Sequence, residues 1–92
     1  MTSGGKRESH PFEFSGAYTR RQGAQYIYAW FGSIYTEPTG YRWTAEVWRD
    51  GNVMGTLTGS LGKQGRASVP EAIPDVRDAI CHCIEYLIDI DE

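Results

Sequence analysis

Residues 41 to 59, YRWTAEVWRDGNVMGTLTG, constrain the fold more than any other stretch of the chain. Apolar and polar residues alternate on both sides of Arg49-Asp50-Gly51, the pattern of two strands that bury one face each and meet at a tight turn. A three-residue loop at Arg49, Asp50 and Gly51, with Gly51 left-handed, opposes Trp48 to Asn52 and pairs Val47 with Val53. Ala45 then meets Gly55, Trp43 meets Leu57 and Tyr41 meets Gly59. This register gathers Tyr41, Trp43, Ala45, Val47, Val53 and Leu57 on one face and puts Arg42, Thr44, Glu46, Trp48, Met54, Thr56 and Thr58 on the other. A two-residue loop would reverse the parity of the return strand and mix Val53 and Leu57 with Arg42 and Glu46, which a one-sided sheet disfavours. Trp43 is therefore expected in the core and Trp48 outside it.

Upstream, FEFSGAYTRRQGAQYIYAWFGSIY (residues 12 to 35) is dense in aromatic residues and broken by TRRQG, which predicts two strands joined by a glycine-containing turn. Ala24, Ile27, Phe31 and Ile34 also fit helical spacing, so a helix over roughly residues 20 to 35 is the competing assignment. The aromatic density favours strand. TEPTG, residues 36 to 40, supplies a turn that returns the chain into Tyr41. With Ile27, Ala29 and Phe31 pointing inward, Tyr26, Tyr28 and Trp30 fall on the outer face beside Trp48 and Met54.

The C-terminal stretch SVPEAIPDVRDAICHCIEYLIDIDE changes period. Ser68 and Glu71 have capping-box spacing, but Pro74 lacks an N–H and is expected to open the main helix, which predicts a short turn over 69 to 73 and a helix over about 74 to 90. At 100° per residue Val76, Ala79, Ile80, Cys83, Ile84, Leu87 and Ile90 form one stripe, with Asp78, Glu85 and Asp89 opposite. That stripe needs an apolar surface, and the inward sheet face is the one available. The expected fold is α+β: an antiparallel meander of three to four strands with one C-terminal amphipathic helix packed on one face.

At 92 residues the chain is long enough for one core. Residues 1 to 10, MTSGGKRESH, are small and polar and read as a flexible tail before a single domain over 11 to 92. The longest apolar run, YIYAWF, is too short to span a bilayer, and no signal-like apolar stretch opens the chain, so a soluble cytoplasmic protein without membrane contact is expected. Residues 1 to 50 carry six Lys/Arg against five Asp/Glu, and residues 51 to 92 carry three against seven. With a net charge of −3, the chain lacks the broad basic face that duplex nucleic acid requires.

Motifs that resemble chemistry fail on geometry. Cys81 and Cys83 flank His82, yet two residues apart on a helix they diverge by about 200° and cannot close on one metal ion. Cys83 is expected in the apolar stripe, Cys81 at its margin and His82 on the polar side. Lys63 in GSLGKQGR lacks the glycine and the Ser/Thr that a phosphate loop needs at fixed offsets, which leaves a mobile loop. The terminal DIDE reads as a solvated acidic end. His10 and His82 have no serine or cysteine placed beside them, so no catalytic residue, metal or cofactor is assigned and no enzyme is expected.

The outer sheet face remains. Large aromatics where Lys, Glu and Thr are usual mark contact with something, unless the two faces are the other way round or the N-terminal segment folds across this one. Tyr28, Trp30, Arg42, Trp48 and Met54 are the expected partner-binding residues, with Arg20 a further rim contact. They suit a small protein-interaction module that binds another protein or itself as a homodimer. The alternative is single-stranded nucleic acid, with Tyr28, Trp30 and Trp48 stacking bases and Arg20, Arg21, Arg42 and Arg49 meeting phosphate, a reading that the net charge disfavours.

Overall fold

Asp50 and Gly51 both take positive φ, 54° and 80°, and so close the central hairpin as a two-residue turn of the type whose twist matches its strands. The computed structural model describes residues 11–92, so the tail expected over residues 1–10 lies outside the described residues. Four strands follow in chain order, β1 (Phe12–Thr19), β2 (Ile27–Glu37), β3 (Gly40–Arg49) and β4 (Asn52–Gly62), then one helix, α1 (Val69–Tyr86). The strands form one antiparallel sheet in the order β1-β2-β3-β4, and α1 packs on one face. The α+β meander with one covering helix is thus the fold, and residues 27 to 37 are strand rather than helix.

The three-residue loop is corrected. Arg49 pairs with Asn52 and Trp48 with Val53, after which the register slips so that Val47 opposes Gly55, Ala45 opposes Leu57 and Trp43 opposes Gly59. Met54 is the extra residue of a bulge. A two-residue turn does reverse parity, and the bulge restores it one step later. Tyr41, Trp43, Ala45, Val47 and Leu57 therefore stay together and buried. Val53 and Met54 exchange places: Val53 lies 49% exposed beside Trp48, and Met54 packs against the core.

The face assignment of β2 is also corrected. Tyr28 and Trp30 are buried, whereas Ile27 and Phe31 are 65% and 55% exposed. The cause is the turn at Pro38-Thr39, which pairs Glu37 with Gly40 and so places Ile34 opposite Trp43, Gly32 opposite Ala45 and Trp30 opposite Val47. Once Trp43 points inward, residues 28, 30, 32 and 34 must follow. Glycines make room for the rings thus turned inward. A Cβ on Gly16 would stand 2.6 Å from the Trp30 ring, and one on Gly59 would stand 2.5 Å from the Trp43 ring, well inside van der Waals contact. Phe14 meets Trp30 edge-on at 5.2 Å. The Trp30 indole N–H is buried with no partner among the described residues, a cost of roughly 1–3 kcal/mol that the burial of so large a ring offsets.

α1 begins five residues before the predicted start. Ser68 is the extended residue before it, its side chain makes no cap bond, and Glu71 accepts the Ala67 N–H at 2.6 Å. Pro70 sits in the first turn and Pro74 inside the helix, so the Pro70 carbonyl forgoes its i+4 donor. Ala72, Val76, Ile80 and Ile84 are buried, and Ala79, Cys83 and Leu87 pack at the margin. The helix stops at Tyr86 because Leu87 turns left-handed, φ 53°, and the N–H groups of Leu87 and Ile88 return to Ile84 and Cys83. The chain then runs back to β4, where Ile90 is buried and the Asp91 N–H donates to the Met54 carbonyl at 2.8 Å.

Candidate functional site

On the sheet face away from α1 the cross-strand pairs set side chains in rows. Ala17, Ala29, Trp48 and Val53 make one, Ser15, Phe31, Glu46 and Thr56 the next, and Glu13, Ser33, Thr44 and Thr58 the third, with Tyr35, Arg42 and Ser60 beyond. The apolar members cluster toward the Asp50-Gly51 end. Small hydroxyl residues in the second and third rows let a depression of about 540 Å³ cross all four strands, with Phe31, Glu13 and Glu46 among its lining residues.

Trp48 is half-buried on this outer face, as expected. Its ring meets Phe31 edge-on at 6.4 Å, and its indole N–H donates to Glu46 Oε1 at 3.2 Å. Arg42 is exposed on the same face, paired with Glu37 at 3.4 Å and lying 5.7 Å from the centre of the Tyr35 ring. Of the five expected partner-binding residues, Trp48 and Arg42 share this surface, while Tyr28, Trp30 and Met54 belong to the core side. The Tyr28 hydroxyl donates to Glu92, and burial first and that bond second push its pKa up to about 12. Phe31, Ile27 and Val53 were missed because they had been turned inward, and Glu13 and Glu46 because no register had placed them beside an aromatic ring. The parity of the Pro38-Thr39 turn is the signal that places Ile27 and Phe31 outside and Phe31 beside Glu46, whereas Val53 follows from the two-residue Asp50-Gly51 turn with the Met54 bulge and Glu13 from the β1–β2 register.

The arginines are largely engaged. Arg49 is bidentate to Glu92, at 3.0 and 2.8 Å, and lies 3.9 Å from the Tyr26 ring centre. Arg20 Nε donates to the Glu85 carbonyl at 2.8 Å, joined by Gln22 at 3.2 Å, so the TRRQG turn caps the C-terminal end of α1. Arg66 binds Asp75 at 2.6 Å and the carbonyls of Gly62 and Gln64, while its own carbonyl accepts from Tyr41. The loop read as mobile is thereby tied at both ends.

Glu85, expected to face solvent with Asp78 and Asp89, is buried instead. Its carboxylate accepts the Arg21 backbone N–H at 2.9 Å, the Tyr18 hydroxyl at 2.7 Å and the Gln22 amide at 2.9 Å. These donors, the Arg21 N–H foremost, pull its pKa from 4.5 to about 2 against the opposing effect of burial. A carboxylate whose pKa is lowered on folding stabilises above its unfolded pKa and loses that contribution as pH falls toward the folded value. Wild type should therefore lose stability between about pH 4.5 and pH 2 more steeply than Glu85→Gln, read as the urea midpoint at a series of pH values. Equal acid sensitivity in the two proteins would remove Glu85 from this role.

Near Glu85, a second depression of about 530 Å³ is lined by Tyr18, Arg21, Gln22, Asp78, Cys81, His82 and Tyr86. His82 is exposed and tilts against Tyr86 with ring centres 4.9 Å apart. Burial raises both thiols, with Asp78 adding at Cys81 and Asp89 at Cys83, so neither cysteine has the depressed pKa of a nucleophile. Among the described residues no three His, Cys, Asp or Glu side chains converge on a metal position, and no helix is long and apolar enough to cross a membrane. Comparison with protein-family models, curated proteins and solved structures gives no match.

Proposed function

We propose that the chain is a protein-interaction module that binds through the outer sheet face, centred on Phe31 and Trp48 with Ile27 and Val53 beside them. The observation that carries this reading is the exposure of Phe31, Ile27 and Val53 on one face, contiguous with a half-buried tryptophan, while α1 packs on the opposite face. Solvated antiparallel faces are usually polar, and contiguous large apolar side chains there favour a partner. Aromatic anchors flanked by polar side chains suit the centre and rim of an interface. Single-stranded nucleic acid has less support, because Tyr28 and Trp30 are buried and Arg20, Arg42 and Arg49 are already bonded.

The test places a photo-crosslinking residue in turn at Phe31, at Val53 and, as a control on the helix, at His82. One product common to positions 31 and 53 and missing from 82 is expected. With that partner purified, Phe31→Ala should weaken binding by about 2 kcal/mol and leave the melting temperature nearly unchanged. Crosslinking from His82 to the same degree, or unchanged affinity in Phe31→Ala, would remove the face as the site.

A further inference from the structure

We infer that the partner presents a basic segment, with a Lys or Arg side chain laid along the Phe31 ring and its charge between the carboxylates of Glu46 and Glu13. This rests on the outer face being the interface. Phe31 and Glu46 are direct cross-strand neighbours, and Glu13 lies in the adjacent row, paired with Ser33. All three are exposed and line the same depression. Among the described residues neither carboxylate has a cation: Arg42, the basic side chain of these rows, is held by Glu37. Face and charge together fit an amphipathic cation, whose methylenes cover the ring while its head meets carboxylate.

The alternatives fit less well. A purely apolar partner would strip water from Glu46 and Glu13 without replacing it, which is costly for a charge. A second copy packed face to face would set these carboxylates against their own counterparts or near them, in a chain that already carries a net charge of −3. A polyanion would meet the same repulsion. The hydroxyls of Ser15, Ser33 and Thr44 beside the carboxylates add acceptors for the remaining guanidinium or ammonium protons.

The experiment titrates isotope-labelled protein with three synthetic peptides of equal length that differ only at alternate positions, occupied by Lys, Ser or Glu. Binding is read from the Trp48 indole N–H and the amides of Phe31 and Ser33. The Lys peptide should bind at least about tenfold tighter than the Ser peptide at low salt, with the Glu peptide weakest, and the ratio should approach one near 0.5 M salt, roughly where screening becomes short-ranged. In a Glu13→Gln, Glu46→Gln protein the preference should vanish at low salt, while binding of the Ser peptide persists. Equal binding of Lys and Ser peptides, both weakened by Phe31→Ala, overturns the basic partner and leaves the interface standing. A Lys preference that survives the double substitution reports net charge alone and also overturns it. No response from any peptide overturns it too, and the crosslinking comparison with His82 then decides separately whether the face binds anything, a second copy included.

Discussion

Trp43→Ala is expected to destabilise the domain by roughly 3–5 kcal/mol, the range for truncating a large buried aromatic side chain. The ring is 4% exposed and fills the space left by Gly59 on the neighbouring strand. Single domains hold only about 5–15 kcal/mol in total, and short chains lie toward the low end. The melting temperature should accordingly fall by about 12 °C or more. Trp48→Ala gives the contrast, with a loss near 1 kcal/mol, since its main aromatic contact is a single edge-on meeting with Phe31. Denaturant titration of both proteins checks the pair. Losses of similar size would put Trp48 in the core and remove the proposed surface.

The second large effect belongs to the helix. Ile80 is fully buried midway along α1, and Ile80→Ala should cost roughly 2–5 kcal/mol as a cavity opens between helix and sheet. Leu87, which the stripe places alongside it, behaves differently. It is half-buried and left-handed at the helix end, a conformation that costs an L-residue about 1–2 kcal/mol and glycine almost nothing. Leu87→Gly should therefore be far milder than Ile80→Ala, because relief of the backbone offsets part of the lost packing. A Leu87→Gly loss as large as that of Ile80→Ala would mean that the side chain, not the reversal of the chain, is what this position supplies.

The candidate site was half legible. Trp48 and Arg42 follow from alternation along β3, which is long and bounded by clear turns. The rest depended on the faces of β2, and β2 is apolar on both: Tyr28, Trp30 and Ile34 on one side, Ile27, Ala29 and Phe31 on the other. Alternation carries no sign when both faces are apolar, so its orientation had to come from pairing with a neighbour whose orientation was known. Glu85 was misplaced for a related reason. Helical periodicity puts it opposite the core, but the TRRQG turn folds over that side of α1 and brings donors to it.

Local pattern along the chain is enough for the set of elements and for the character of the strongly patterned ones. The alternation of residues 41 to 48 puts Tyr41, Trp43, Ala45 and Val47 on one face whatever the register with the neighbouring strands. The stripe of Val76, Ile80 and Ile84 makes a helix that must cover a sheet. How these pieces are phased against each other is settled by contacts between strands. A bulge at Met54 undoes the parity of a two-residue turn, the Pro38-Thr39 turn carries the inward direction of Trp43 over to Trp30, and glycines at 16 and 59 accept the rings. Each is a contact between residues of different strands, and its energy is a matter of which side chains meet across the ladder, so local pattern cannot supply it. That phasing is also what leaves Phe31 beside Glu46 on the open face.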